Sequence, residues 1–256
     1  MPSLFRQIRI LSLGLLAAAA VSTAGAQGNA PASYNVGATA TGIPFTFLDV
    51  KTNSIQGMMV DTVQSVAKAG GFAVNLHQTV FSALIPSLTA QKIDIVSAAM
   101  LKTPARQQVV DFSDPVYSYG EGLLVKADDA RPYATLDDLK GEAVGAQVGT
   151  VFIDMLQKKG IFKEVRSYDS VADMTRDLAL GRIKAGLADQ PILAYQIRQN
   201  AFQGVKLAEG YKATNVGDVC LVVRKGDTET LQRLNKAIAA IKADGTLARI
   251  TAKWGI

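Results

Sequence analysis

Cysteine and histidine are almost absent from this sequence of 256 residues, which contains one of each. Cys220 has no internal partner for a disulfide, and the apolar run over residues 219–223 indicates a buried structural thiol. His77 has no partner at the spacing of a metal site, and its alternating surroundings predict the solvent-facing side of a strand. The sequence therefore gives little support to a metal centre or to histidine-dependent nucleophilic chemistry.

Basic clusters and long apolar runs are also lacking, except for one short apolar run near the start of the chain. Arg6 and Arg9 precede this run over residues 10–21, and Ala24-Gly-Ala follows, which together indicate a secretory signal peptide over residues 1–26. The run is too short to span a membrane. Because this segment has no acids, its removal lowers the formal charge from +5 to +3. With no basic cluster, we expect no nucleic-acid partner.

The remaining chain consists of two successive alternations of strands and helices. In the first, a strand from Tyr34 is followed by a helix over residues 61–69 and a strand over residues 73–76. The pattern restarts after Pro132, with strands predicted at residues 143–147 and 165–168. Such alternation implies mainly parallel sheets flanked by helices. Two such halves suggest two lobes.

One stretch, residues 81–112, carries the first candidate site residue. It predicts a helix, a buried strand over residues 93–99, and a second helix that starts at Thr103-Pro104, an N-cap followed by proline at the first helical position. Arg106 then lies just beyond the carboxyl end of a strand, where open α/β sheets bind ligands. Its guanidinium is suited to a carboxylate. Taken alone, Arg106 is also compatible with an ordinary surface charge.

Several motifs occur in a characteristic order along the chain. They are Phe81-Ser-Ala-Leu-Ile-Pro-Ser-Leu, Lys92-Ile-Asp, Thr103-Pro-Ala-Arg, Asp111-Phe-Ser-Asp-Pro, Leu136-Asp-Asp-Leu-Lys-Gly, Gly149-Thr and Lys242-Ala-Asp-Gly-Thr. In this order they resemble the family 3 extracellular solute-binding proteins, the amino-acid-binding proteins of ABC importers. The resemblance implies an α/β, two-lobed periplasmic-binding-protein fold of type II, with a mainly parallel sheet flanked by helices in each lobe and the ligand in the cleft.

The resemblance also implies that the first lobe is discontinuous. Residues 27–118 form the first part of lobe 1, residues 119–218 form lobe 2, and residues 219–256 return to lobe 1. The chain then crosses between the lobes twice, through paired hinge strands that we expect near residues 117–121 and 215–219.

The resemblance further implies roles for individual residues. Arg106 clamps the α-carboxylate of the ligand, Asp189 takes its α-ammonium group, and Phe81 packs against its side chain. Gly149 and Thr150 open a lobe 2 helix whose free backbone N–H groups favour an anion. Without the resemblance, Phe81 is compatible with plain core, Gly149 and Thr150 with an ordinary turn and cap, and Asp189 with a helix N-cap.

Three positions depart from the family pattern. Thr39 stands where an aspartate is usual, Gly42 where an aromatic is usual, and Leu101 where a hydroxyl side chain is usual. These changes predict a ligand with an uncharged remainder, larger or more apolar than that of lysine, arginine or glutamine. The predicted ligand-binding residues are Arg106, Asp189, Gly149, Thr150, Phe81, Thr39, Ala99 and Leu101.

The predicted function is the periplasmic solute-binding component of an ABC importer. We expect it to close on a small carboxylate, an amino acid or related compound, and to deliver it to an inner-membrane permease. We expect a monomer without cofactor, metal or catalytic residues, and without stable membrane insertion. The alternative is a periplasmic enzyme on this scaffold, such as a lyase similar to cyclohexadienyl dehydratase. Asp189 or Glu121 then serves as a general acid, which requires a carboxyl of raised pKa.

Overall fold

The computed structural model describes residues 32–256, so the predicted signal peptide lies outside the described residues. Within the described part of the chain there are fifteen strands. In chain order they are β1 (Ser33–Ala38), β2 (Thr41–Gly42), β3 (Thr46–Asp49), β4 (Ser54–Gln56), β5 (Ala73–Gln78), β6 (Ile95–Val96), β7 (Val110–Phe112), β8 (Tyr117–Tyr119), β9 (Glu121–Lys126), β10 (Ala143–Gln147), β11 (Glu164–Tyr168), β12 (Ala185–Asp189), β13 (Val205–Leu207), β14 (Gly217–Val219) and β15 (Val222–Arg224).

Eight α-helices lie between and after these strands in the same described range. They are α1 (Met58–Gly70), α2 (Leu84–Thr89), α3 (Pro104–Gln107), α4 (Val151–Lys159), α5 (Val171–Ala179), α6 (Gln190–Arg198), α7 (Thr228–Ala243) and α8 (Thr246–Trp254). Two single 3₁₀ turns, Phe81–Ala83 and Leu136–Leu139, complete the helical elements. None of the helices in residues 32–256 combines the length and the apolar content needed to cross a bilayer.

Two five-stranded sheets form the centres of the two lobes, which confirms the predicted α/β, two-lobed fold. The lobe 1 sheet has the order β5-β1-β6-β15-β7, in which β1 pairs in parallel with β5 and β6. The lobe 2 sheet has the order β11-β10-β12-β9-β13, in which β10 pairs in parallel with β11 and β12. Strand β15 comes from the C-terminal part of the chain and still pairs with the lobe 1 strands β6 and β7.

Two short strands connect the sheets. Strand β8 follows the first lobe 1 segment, β14 precedes the returning segment, and they pair antiparallel with Tyr117 opposite Val219 and Tyr119 opposite Gly217. The structure therefore places paired strands where the sequence predicts the two crossings. The domain boundaries after residues 118 and 218 stay a prediction.

Helix α1 begins three residues earlier than the sequence predicts. Gly57 is its N-cap and has no side chain to accept a backbone hydrogen bond, so no capping signal marks the start at Met58. At the other end Gly71 adopts the left-handed conformation with φ 68°, as a glycine C-cap does. Its apolar face, which includes Met59 and Val63, is buried.

Strand β6 is much shorter than the predicted strand over residues 93–99. It ends at Val96, because the chain then leaves the sheet and Ala99 adopts a left-handed backbone conformation with φ 54°. Ser97 donates a hydrogen bond to the carbonyl oxygen of Met59 at 2.8 Å, which fixes this departure from the sheet. The residues that follow β6 therefore form a loop, and this loop enters the functional site.

The two rare residue types lie where the sequence predicts. Cys220 is a free thiol with no solvent exposure. His77 is exposed on β5 and forms a hydrogen bond of 3.0 Å with the side chain of Asn35. Both predictions are confirmed. Within residues 32–256 no group of three or more His, Cys, Asp and Glu side chains is placed to hold a metal ion.

Candidate functional site

Arg106 reaches from lobe 1 to lobe 2. Its helix starts as predicted, with Thr103 as the N-cap whose hydroxyl accepts from the Arg106 backbone N–H at 3.2 Å, and Pro104 in the first turn. The guanidinium donates from Nη1 to the carbonyl oxygen of Leu101 at 2.7 Å and from Nη2 to that of Gly149 at 3.0 Å. Because Gly149 belongs to lobe 2, this one side chain bridges the cleft.

Phe81 and Gly149 bring the walls of the cleft close together around this guanidinium. The Cζ atom of Arg106 lies 5.8 Å from the centre of the Phe81 ring, within the range of a cation–π contact. Gly149 has φ 79°, and a Cβ built on it would lie 2.8 Å from the Cα atom of Ser82 in lobe 1. A glycine is therefore required at this position for two reasons, its backbone conformation and the close approach of the two lobes.

Asp189 supplies the acidic group on the lobe 2 side. It ends β12 and occupies the N-cap position of α6, but its side chain makes no capping hydrogen bond. The carboxyl group instead lies near the Tyr119 hydroxyl and the Arg106 guanidinium. Burial raises the pKa of Asp189 to about 7, although Tyr119 and Arg106 both act to lower it. The effect of desolvation on this pKa is therefore larger than the combined effect of the Tyr119 hydroxyl and the Arg106 guanidinium.

Tyr119 is a site residue that the sequence argument missed. It lies on the crossing strand β8, is buried, and donates from its hydroxyl to the carbonyl oxygen of Ala99 at 2.9 Å. Its ring stacks on Phe45 with the ring centres 5.5 Å apart. Burial raises the pKa of Tyr119 well above its ordinary value, so the hydroxyl keeps its proton and remains a donor. The left-handed conformation of Ala99 directs this carbonyl to Tyr119, a nonlocal feature that no sequence pattern signals.

A cavity of about 20 Å³ lies between the two lobes. It brings together five residues of the predicted set, which are Thr39, Phe81, Ala99, Thr150 and Asp189. Its other lining residues are Thr41, Gly42, Phe45, Thr46, Ala98, Gln147 and Ile192. About one water molecule fits such a volume, so an amino acid can enter only if the lobes separate.

Gln147 is another polar residue of the site outside the predicted set, and it lines the cavity. It ends β10, as Asp189 ends the neighbouring strand β12, and its side-chain amide donates to the carbonyl oxygen of Asp169 at 2.9 Å. The rule that ligands bind at the carboxyl ends of parallel strands would have pointed to it.

The cavity contains only one acidic side chain, that of Asp189, among its lining residues in the described part of the chain. Thr39, at the position where the family usually has an aspartate, is buried and its hydroxyl forms a hydrogen bond of 2.6 Å with that of Thr46. One of these two hydroxyls donates to the other, and neither carries a charge. A cationic ligand side chain beside them finds no carboxylate partner.

Leu101 and Thr150 enter the site differently from the prediction. The side chain of Leu101 packs against Gly217 of β14, and only its carbonyl oxygen serves the site, by accepting from Arg106. Thr150 donates from its hydroxyl to the carbonyl oxygen of Gln147 at 2.7 Å, and its N–H donates to the same oxygen at 3.3 Å. The Thr150 N–H is therefore engaged in the turn in this conformation and is not free for an anion.

The geometry is that of a site for two opposite charges. The guanidinium anchored in lobe 1 and the half-buried Asp189 carboxyl in lobe 2 both lie at one closed cleft, near enough for Arg106 to lower the pKa of Asp189. The family model described as bacterial extracellular solute-binding proteins, family 3, matches residues 34–256. The chain belongs to this family.

Relatives of this family 3 protein are named for different amino acids. ABC transporter arginine-binding protein 1 of Escherichia coli (strain K12) is 32% identical over 230 residues, covering 88% of this chain and 92% of the relative. L-cystine-binding protein TcyJ of the same strain is 31% identical, covering 86% and 81%. The histidine-binding periplasmic protein of that strain is 31% identical over 255 residues, covering 96% and 95%.

Solved structures agree with the fold of this family 3 protein. An ancestral arginine-binding protein bound to glutamine superposes with a TM-score of 0.78 at 34% identity, covering 87% of this chain and 97% of that chain. An ancestral amino acid-binding protein described as a precursor of cyclohexadienyl dehydratase superposes with a TM-score of 0.77 at 30% identity, covering 87% and 95%.

Proposed function

We propose that this family 3 protein binds an amino acid or a related small carboxylate in the periplasm by closing its two lobes. The observation that carries the proposal is that the Arg106 guanidinium of lobe 1 reaches across to Gly149 of lobe 2, close enough to the Asp189 carboxyl to lower its pKa. A guanidinium grips a carboxylate through two parallel hydrogen bonds. An ammonium group supplies the donors and the positive charge that the buried Asp189 carboxylate lacks.

Delivery to an ABC permease of the inner membrane is the second part of the proposal. The relatives named as binding proteins for arginine, cystine and histidine support it, together with the predicted signal peptide. We propose that the protein acts as a monomer and that its own role ends with binding and release. Movement of the ligand across the membrane is then the task of the permease.

Closure about β8 and β14 is a testable consequence. Two crossings confine the rotation of the lobes largely to one axis, as in hinge closure around ligands. We expect small-angle X-ray scattering to give a smaller radius of gyration for the amino-acid-saturated protein than for the refolded, ligand-stripped protein. An unchanged radius at occupancy confirmed by calorimetry counts against a mobile cleft.

The ligand class is a second testable consequence. Thr39, Gly42 and Thr46 line the cavity without any charge, and Phe81 and Ile192 are apolar walls. Burial of a cationic side chain there leaves its charge unpaired, which is costly in a closed cleft. We therefore expect calorimetry to show binding of an apolar or aromatic amino acid, or of its des-amino analogue. Submicromolar binding of lysine or arginine, with none of the apolar set bound, contradicts this expectation.

One observation favours the enzyme alternative, and one opposes it. The pKa of Asp189, raised by burial to about 7, is of the kind that a general acid needs. Glu121 is unsuited to that role, because its carboxylate accepts hydrogen bonds from Tyr211, Thr214 and Asn215 and its pKa is lowered. An assay for turnover of prephenate or arogenate, with Asp189→Asn as the control, separates the two functions.

A further inference from the structure

Glu121 is a buried carboxylate whose charge is held by hydrogen bonds alone. Its side-chain oxygen Oε1 accepts from the Tyr211 hydroxyl at 3.0 Å, from the Thr214 N–H at 2.6 Å and from the Thr214 hydroxyl at 2.9 Å. Oε2 accepts from the Asn215 N–H at 2.9 Å. The residue is only 2% exposed. Burial alone acts to raise its pKa, but the hydrogen bonds prevail and the pKa is lowered.

The donors all belong to the segment that leads into the second crossing strand. Residues 211–215 end one residue before β14 begins, and Glu121 lies one residue after the first crossing strand β8, with Gly120 between them. A Cβ built on Gly120 would lie 2.6 Å from the Cβ of Ala213, so the segment packs tightly against this glycine. The Glu121 side chain thus ties the lobe 2 ends of both crossings together.

The backbone of Gly120 and Glu121 holds Asp189, the residue proposed to bind the ammonium group. Glu121 is the register partner of Asp189 in the antiparallel pair of β9 and β12. The N–H of Gln190 donates to the carbonyl oxygen of Gly120 at 3.0 Å. The hinge segment and Asp189 are therefore fastened to one short piece of chain, from its side-chain and its backbone groups respectively.

We propose that Glu121 is a positioning residue for ligand binding, which locks residues 211–215 to the first crossing and so fixes where Asp189 lies when the lobes close. The role rests on the proposed function, because it concerns the same cleft. Because β8 and β14 still pair with each other, loss of this lock frees residues 211–215 to move relative to the lobe 2 end of the first crossing. The lobes then sample a wider range of relative positions, and closure places Asp189 less accurately.

Glu121→Gln is the test variant, because it keeps the shape of the side chain and removes the charge that four donors recognise. The side-chain NH₂ group of the glutamine is itself a hydrogen-bond donor, so it faces other donors. Asp129→Asn is the matched control. Asp129 is also a buried carboxylate of lobe 2, bonded to Tyr133 and Lys184 but remote from the crossings in sequence. Tyr211→Phe, which removes one of the four donors, is a milder second variant.

The first measurement uses no ligand. Spin labels are attached to cysteines that replace two exposed residues, Lys92→Cys in lobe 1 and Lys163→Cys in lobe 2. Pulsed electron paramagnetic resonance then reports the distance between the lobes. The buried Cys220 thiol is protected from labelling. We expect a broader distance distribution for Glu121→Gln than for the wild type, an intermediate one for Tyr211→Phe, and no broadening for Asp129→Asn. A Glu121→Gln distribution that superposes on that of the wild type, or broadening as large in Asp129→Asn, overturns the proposal.

The second measurement screens each of the twenty L-amino acids by thermal shift and titrates any that bind. We expect Glu121→Gln to bind the wild-type hit at least about tenfold more weakly, because closure must then also order residues 211–215, with the change in the dissociation rate. Equal affinity in Glu121→Gln overturns the proposal. If no amino acid binds the wild type, the proposed function fails, and the ligand-free distances alone decide the role of Glu121.

Discussion

Arg106→Ala should abolish amino-acid binding while it leaves the fold intact. The guanidinium is held by the Leu101 carbonyl and the Phe81 ring, so it is already oriented before a carboxylate arrives. Removal of one partner of a buried, hydrogen-bonded charge pair costs about 2–5 kcal/mol, which corresponds to a loss of affinity of about 30- to 5,000-fold. Calorimetry on the wild type and the variant measures this loss directly.

Two further variants make the Arg106 test specific. Arg106→Lys should recover little affinity, because a point charge cannot reproduce the two parallel hydrogen bonds of the fork. Arg166→Ala removes a lobe 2 arginine that pairs with Glu164 at the surface, and it should bind like the wild type. Affinity within a few-fold of the wild type in Arg106→Ala excludes the proposed clamp.

Asp189→Asn should remove both affinity for the amine and the pH dependence of binding. In the closed, ligand-free cleft burial raises the pKa of Asp189 to about 7, so the carboxyl is largely protonated below that pH. An ammonium ligand needs the carboxylate and must expel this proton. We expect its affinity to fall about tenfold between pH 8 and pH 6 in the wild type. The affinity of Asp189→Asn should be low and flat over the same range.

The des-amino analogue of the same ligand supplies the control for this pH profile. It brings no charge to Asp189 and is disfavoured by an ionised carboxylate, so its affinity should not fall as the pH is lowered. Parallel pH profiles for the amino acid and its analogue contradict the assignment of Asp189 to the ammonium group.

The raised pKa of Asp189 also affects the stability of the folded protein. Because the folded-state pKa is above the unfolded value of 3.8, the ligand-free closed form loses stability as the pH rises from about 4 to 7.

Local signals in the sequence predicted the elements on which Arg106 and Asp189 lie. Thr103 and Pro104 mark the start of α3, and Asp189 marks the end of a strand, but only the family resemblance assigned both residues to the cleft. These signals depend on residues close in sequence. The N-caps Thr135 and Ser170, whose hydroxyls accept backbone hydrogen bonds from Asp137 and Asp173, are features of the same local kind.

The missed features are contacts between residues distant in sequence. The approach of Gly149 to Ser82 joins two lobes, and the bond from Tyr119 to Ala99 depends on a left-handed backbone in a residue other than glycine. The hydrogen bond between the Thr39 and Thr46 hydroxyls likewise forms only when folding brings the residue after β1 next to β3. Propensity and periodicity describe which element a residue joins, and they carry no information on such pairings.

A thermal-shift screen of the refolded, ligand-stripped protein tests the central claim most directly, with the wild type and Arg106→Ala measured side by side. A ligand at one hundred times its dissociation constant stabilises the folded state by about 2.7 kcal/mol, which raises the midpoint of a chain of this size by about 5–10 °C. We predict such a shift for at least one neutral amino acid in the wild type and none in Arg106→Ala. A screen in which no carboxylate shifts the wild type, or in which the shift is equal in Arg106→Ala, contradicts the claim.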